Sequence, residues 1–467
     1  MSSRERKRLE RAYLAKLRER LSSIKLHVFV RREDQVLVVR PLTVYHVNEV
    51  VVDFLEPIYA VRKVRVESLV RALAGKYRLS EFRVLQLFHQ VLDDVSALVS
   101  QRPCDVKYFR AQPLQTTKVL WPTMAEISLT ERCNNACQFC YLGCPDDNFV
   151  PRPPLAVEQF EAVIDKLWRQ AKVPSLNFTG GEPTLSPALP ELVQHAADLG
   201  FKVVVITNGR RLADESYLRD LIDAGVNGFQ VSIEAADAGL HDSLVGVEGA
   251  FEQTVEGIRN CAALQRVDPT PEFWVSTNTT LTRLNRERVH ELPPFVKDLG
   301  AKSMSMNVII WTGSATKKRS ELGVYYSELG PTVRRVKRVA DGAGIKFSWL
   351  SPTPYCLFNP VMEGFGYKGC SCYGGLVSVA PNGDLIPCSS APPHWPAAGN
   401  LLEDDFWSAW NSPVAQRHRA HAFAPTACKR RCDDFDICGG ACPIYWEFLG
   451  TGELEREMEL VGGTFKN

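Results

Sequence analysis

Glu131-Arg-Cys-Asn-Asn-Ala-Cys-Gln-Phe-Cys-Tyr141 sets three cysteines, Cys133, Cys137 and Cys140, in a Cys-x3-Cys-x2-Cys spacing, with an aromatic residue, Phe139, just before the third. The stretch follows directly on a strand-like run at 125–130. Three thiolates on one short loop can hold three irons of a [4Fe–4S] cube. The fourth iron is then left without a protein ligand, and an open position is what separates a catalytic metal site from a structural one. A zinc loop would want a fourth ligand nearby. Cys144 is the cysteine at hand, but it lies past the spacing and reads as a bystander.

Outward from this loop, strand-like runs recur at 125–130, 174–179, 201–207, 228–234, 272–280 and 303–310, with helical patterns between them, for example at 155–171, 214–224 and 250–266. Strands alternating with helices at this interval indicate βαβ units and a parallel sheet, hence an α/β fold. Six units are too few for a closed eight-fold barrel, so a partial (β/α)6 barrel over 120–345 is expected. Residues 311–324 read as a loop and 325–341 as a helix. Barrel active sites gather at the C-terminal ends of strands. The second strand ends in Thr179-Gly-Gly-Glu-Pro183, where Gly180 and Gly181 permit close backbone approach and Glu182 offers a carboxylate. The third ends at Thr207-Asn208-Gly209; the fourth puts Ser232 and Glu234 on one face; the fifth carries Asn278.

The cysteine spacing after a first strand, followed by Gly-Gly-Glu-Pro, resembles the radical S-adenosylmethionine (SAM) superfamily. The resemblance implies that the SAM amino and carboxylate groups chelate the open iron. It also implies reductive cleavage to a 5′-deoxyadenosyl radical, fed by a reductant such as flavodoxin or ferredoxin. Gly180, Gly181, Glu182 and Pro183 would bind the SAM ammonium, Asn208 would lie near the SAM site, Ser232 and Glu234 would face ribose hydroxyls, and Asn278 would be a further contact.

Beyond residue 350 periodicity fades, and eight of the 14 cysteines fall within Cys356–Cys442. They include Cys370-Ser-Cys372, Asn382-Gly-Asp-Leu-Ile-Pro-Cys388 and Cys428-x3-Cys432-x5-Cys438-x3-Cys442. With Gly399-Asn400 and Trp407–Asn411 between, 350–450 resembles the SPASM domain, which holds auxiliary [4Fe–4S] clusters; structural zinc is the competing reading. Two departures stand out. The last run opens Cys-x3-Cys rather than Cys-x2-Cys, and no cysteine occurs between Cys442 and residue 467. The resemblance places one cluster on Cys372, Cys388, Cys442 and either Cys356 or Cys370. A second would use Cys428, Cys432 and Cys438, with Asp433, Asp436, Cys356 or nothing as its fourth ligand. One or two auxiliary clusters are therefore expected.

Residues 1–25 hold nine basic and three acidic residues. Leu9, Tyr13, Leu17 and Leu21 form one apolar stripe, a basic amphipathic helix. Residues 26–105 combine two strand-like runs (26–30 and 35–39) with helical patterns near 44–55, 66–77 and 80–99. This order, with the run Val66-Glu-Ser-Leu-Val-Arg-Ala-Leu-Ala-Gly-Lys-Tyr77, resembles PqqD-like domains, which bind a precursor peptide as an added strand; a generic winged-helix-like module is the alternative.

Overall, 55 basic against 54 acidic residues argue against nucleic acid or an acidic membrane as the main partner, and no apolar run is long enough to span a bilayer. This many cysteines without an export signal points to the reducing cytoplasm and to metal chemistry; Cys104 and Cys261 read as ordinary small hydrophobes. The leading expectation is modification of a peptide or protein. Building a small cofactor, such as a tetrapyrrole or metal cofactor, is the second, and a non-enzymatic electron-transfer protein the third. No general acid or base can be named; Asn307, Trp311 and Tyr373 are candidates to face the substrate.

Overall fold

Alternating apolar strands and amphipathic helices can bury both faces of a parallel sheet, and the chain does so from Met124 onward. The structure, a computed structural model, describes residues 3–39, 43–59, 65–99, 112–113, 121–267 and 273–460, so Cys104 lies outside the described residues. It divides into two compact units, Met1–Thr123 and Met124–Asn467.

In the first unit, the helix Ser3–His27 leads into β1 (Val28–Arg31), β2 (Val36–Val39), β3 (Thr43–His46) and, after three helices, β4 (Gln112–Pro113). The four strands form an antiparallel sheet in that order. Leu17 and Leu21 from the amphipathic stripe are buried in a core with Phe54, Phe88 and Leu92, the Phe54 and Phe88 rings meeting edge-on at 4.8 Å. Residues 44–55, expected as one helix, divide into β3 and the helix Glu49–Leu55. Asn48 makes the break: its side chain accepts from the Val51 N–H and caps the helix, freeing the β-branched Thr43 and Val44 to pair with β2.

In the second unit, β5 (Met124–Thr130), β6 (Ser175–Gly180), β7 (Lys202–Thr207), β8 (Gly228–Ser232), β9 (Trp274–Leu281) and β10 (Ser303–Val308) lie within two residues of the expected runs. They pair parallel in sequence order. The sheet is longer than six strands. β11 (Lys346–Trp349) adds parallel to β10, and β12 (Leu376–Val379) adds parallel to β5 on the opposite side. β13 (Asp384–Ile386) and β14 (Gly399–Asn400) follow antiparallel, making ten strands. The cysteine-rich segment is thus stapled to the barrel sheet through β12. Residues 311–324, expected as a loop, hold a 3-10 helix at Gly313–Lys318 and a short helix at Arg319–Leu322. Cys261 is buried in the core, as a small hydrophobe would be. No helix among the described residues is long and apolar enough to cross a membrane.

Candidate active site

The C-terminal ends of β5 to β10 open into one cavity of about 420 Å³, a size suited to a small-molecule ligand. Cys133, Cys137, Phe139 and Cys140 line it from the loop after β5. Gly180, Gly181 and Glu182 line it after β6, Asn208 after β7, Ser232 and Glu234 after β8, and Asn278 from β9. Pro183 is not in the wall. It is buried as the first residue of a 3-10 turn, Pro183–Leu185, where its fixed φ starts the turn.

The cysteine loop is held from several sides. The Ala136 and Gln138 N–H groups donate to Val245 and Leu244 carbonyls at 2.8 and 3.0 Å. The Asn208 amide donates to Asn134 Oδ1 at 2.6 Å, and Arg210 donates to Asn135 Oδ1 at 2.9 Å. Ser314 N–H reaches the Cys140 carbonyl at 2.9 Å.

The Gly-Gly pair works against this loop. Gly181 N–H donates to the Thr130 carbonyl at 2.7 Å and Glu182 N–H to the Arg132 carbonyl at 2.8 Å. A Cβ on Gly180 would lie 2.2 Å from the Thr130 oxygen, and one on Gly181 would lie 2.3 Å from the Arg132 oxygen. The glycines let β6 close on the backbone that launches the cysteine loop, a role in addition to the ligand approach expected of them. Glu182 is likewise turned inward. Its carboxylate accepts from Thr207 Oγ1 (2.6 Å), Asn208 N–H (2.7 Å), Thr184 Oγ1 (2.7 Å) and Thr184 N–H (3.1 Å). Burial still pushes its pKa up, with these donors opposing the shift.

Glu234 has one donor, the Thr280 N–H at 2.8 Å, and burial pushes its carboxyl up to about 8. Its own N–H donates to His241 Nδ1 at 3.1 Å. Asn278 is fixed at both ends: it donates to Asn307 Oδ1 at 2.8 Å and accepts from Ser305 Oγ at 3.0 Å.

Burial pushes the Cys133 thiol up to about 11 and raises Cys137 as well. Cys140 moves the other way, to about 6, because the Cys144 thiol hydrogen-bonds it. Cys144, a bystander in the spacing, therefore touches the triad, and its thiol also lies 3.0 Å from the Glu131 carbonyl. Three thiols lining one cavity with carboxylate and amide groups fit a [4Fe–4S] cube: the thiols would hold three irons, and the polar groups would serve a ligand of the fourth.

The other cysteines sort into two sets of four. Cys370 and Cys372 sulfurs lie 3.3 Å apart, Cys372 also hydrogen-bonds Cys388, and Cys442 faces Cys370 and Cys388. Cys438 Sγ lies 3.9 Å from the carbonyl of Thr353, three residues before Cys356, and burial, with Cys428, Cys438 and Cys432 adding to it, pushes the Cys356 thiol up to about 12. Among the described residues, no three His, Cys, Asp or Glu side chains converge tightly enough for a single metal ion. The sets suit cubes, which take thiolates at separate corners, better than tetrahedral zinc.

Cys442 also stands in the cavity wall, so one auxiliary thiol set reaches the reaction space. Beside it are Tyr326 and Tyr445, stacked at 3.8 Å between ring centres. Sequence reasoning missed both, since neither lies in a motif or at a barrel-strand end. It also missed Tyr141, although that residue adjoins the last triad cysteine; its hydroxyl donates to the Gly180 carbonyl at 3.3 Å. Asn307 and Trp311 line the cavity, and the buried Trp311 indole N–H has no partner among the described residues. Tyr373 does not face it. Fully buried, it spends its hydroxyl on the Leu385 carbonyl at 3.0 Å and packs edge-on against Trp410, which makes it a core residue.

Comparison with known proteins agrees with this layout. Residues 127–292 match the Radical SAM superfamily, and residues 370–433 match the SPASM iron–sulfur cluster-binding domain. The chain is 28% identical over 347 residues to the AdoMet-dependent heme synthase of Methanosarcina barkeri, covering 68% of this chain and 90% of that protein. It is 26% identical over 342 residues to the subtilosin biosynthesis protein AlbA of Bacillus subtilis, covering 72% and 70%. In fold it is similar to Streptococcus suis SuiB, solved bound to its precursor peptide SuiA, with a TM-score of 0.64 and 16% identity over 90% of this chain and 95% of that one. With the triad at the strand ends and the thiol sets beyond them, the chain carries a radical SAM domain over 127–292 and a SPASM iron–sulfur cluster-binding domain over 370–433.

Proposed function

We propose that this protein is a radical SAM maturase: it cleaves SAM reductively and uses the resulting radical to modify a peptide or protein. The observation that carries the reading is the shared cavity, whose lining includes Cys133, Cys137 and Cys140 together with Cys442. When bound, the [4Fe–4S] cluster and SAM supply the 5′-deoxyadenosyl radical. The chain's own residues do the rest. Asn208, Ser232, Glu234 and Asn278 offer hydrogen bonds to the ligand's polar groups. Glu182 positions the ends of β6 and β7. Tyr326, Tyr445 and Trp311 wall the substrate side and keep water from a reactive carbon. A flavodoxin or ferredoxin in the reducing cytoplasm would supply the electron.

A peptide substrate is supported by the named role of AlbA, by the peptide bound to SuiB, and by the small unit at the N-terminus. We assign 26–105 as a PqqD-like docking module. Its candidate edge is β1, which pairs on one side only among the described residues and would accept an added strand. The heme synthase relative supports a second reading, a tetrapyrrole-type substrate. Binding decides between them. A short peptide encoded beside this gene should bind the full chain and lose binding when residues 1–110 are deleted. Saturable binding of a tetrapyrrole, with no effect of that deletion, would favour the second reading.

A further inference from the structure

The second thiol set draws its fourth member from far upstream. Cys428, Cys432 and Cys438 lie together in the last cysteine run, whereas Cys356 follows β11 and precedes the matched iron–sulfur domain. Cys356 sits on a turn in which the Leu357 and Phe358 N–H groups both donate to the Pro354 carbonyl, at 3.0 and 2.9 Å. Thr353 Oγ1 closes the turn on the Phe358 carbonyl at 3.0 Å, and Thr353 and Phe358 are both buried. Cys438 is tied to this same turn: its sulfur lies 3.9 Å from the Thr353 carbonyl and accepts from the Tyr355 N–H. The next residue is Cys356, whose thiol is raised by burial and further by Cys428, Cys438 and Cys432.

Burial raises the Cys432 thiol, with Asp434 and Asp433 adding to it, and burial raises Cys428, with Cys438 and Cys432 adding and Lys429 opposing. The carboxylates adjoin Cys432 along the chain, whereas Cys356 comes to the set across the fold, on the turn that meets the Cys438 sulfur.

We propose that Cys356 is the fourth ligand of a second auxiliary [4Fe–4S] cluster held by Cys428, Cys432 and Cys438, which leaves that cluster no open iron. This rests on the reading of the C-terminal domain as a holder of iron–sulfur cubes. A closed cluster passes electrons and does not coordinate substrate, so binding of substrate falls to the cavity of the SAM site.

The test uses the full chain, purified without oxygen and reconstituted with iron and sulfide. Wild type should carry about twelve irons per chain, four for each cube. C356A and C356S should each lose between about one and four irons, with a three-iron EPR signal or none from that site. In the same samples the SAM-responsive cluster signal should persist, which shows that the variants are folded. Unchanged iron and spectra in both variants would overturn the proposal, as would a wild type with only about eight irons. Zinc in place of iron in the wild type would instead defeat the cube reading of the domain, and the proposal with it.

Discussion

The cysteine loop after β5 and the thiol sets of the C-terminal segment are built in opposite ways. The loop gathers three thiols within eight residues, Cys133 to Cys140, beside a cavity that polar groups of other strands also line. The C-terminal sets each collect four thiols from distant points of the chain, Cys370 to Cys442 in one and Cys356 to Cys438 in the other. A local, incomplete site leaves iron open for chemistry; a complete, long-range one ties the fold together and closes the metal. The difference teaches that ligand number, and not cysteine count, separates the reacting cluster from the supporting ones.

The largest effect should come from removing the open site. The triple variant C133A/C137A/C140A should form no 5′-deoxyadenosine above background and lose about four irons, with the auxiliary irons retained. Undiminished cleavage would erase the contrast. Next, C442A removes a thiol that belongs to both a closed set and the cavity wall. It should still cleave SAM but release modified substrate at least about ten-fold less, since electron uptake and cavity shape both suffer. Equal losses of cleavage and modification would place Cys442 in the SAM site itself.

A third test addresses how the loop is launched. G181A drives a methyl into the Arg132 carbonyl and should destabilise the metal-free protein by about 2–4 kcal/mol in thermal or urea unfolding. A change under about 0.5 kcal/mol would mean that the backbone clamp is loose.

Glu234 gives a pH signature. Burial raises its folded pKa to about 8 from the ordinary carboxyl value of 4.5, so the folded state holds its proton more tightly than the unfolded one. This contribution is full below the unfolded value and is lost as pH rises through about 8. Metal-free wild type should thus lose stability between pH 5 and 8.5 by an amount that E234Q removes. Parallel pH profiles for the two proteins would refute this. The smallest effect belongs to C144A. It should keep its iron, because Cys144 is no ligand, yet slow alkylation of Cys140 at pH 7 in the metal-free protein, because the thiol hydrogen bond that holds Cys140 at about 6 is gone. A large loss of iron would make Cys144 part of the loop's metal set.

The barrel strands and the loop were legible because each rests on local signals: apolar runs of fixed length, a short cysteine spacing, turn residues at strand ends. What was not legible depends on contacts between distant residues. The triplet Asp384–Ile386 and the pair Gly399–Asn400 are too short to register as strands, yet they extend the sheet. The β3 strand was hidden because Val44 and Tyr45 blend into the helical pattern that truly begins after Asn48. The grouping of eight cysteines into two sets, the approach of Tyr326 to Tyr445, and the inward turn of Glu182 are products of packing, and no spacing encodes them. Tyr373 shows the converse error: expected to face the substrate, it gives its hydroxyl to a backbone partner and completes the core.

The most direct test of the central contrast is EPR of the reduced, fully reconstituted protein with and without SAM. The account predicts that SAM alters the signal of one cube only, that this change vanishes in C133A/C137A/C140A, and that the auxiliary signals stay as they were. No response to SAM, or a response that survives in the triple variant, would contradict it.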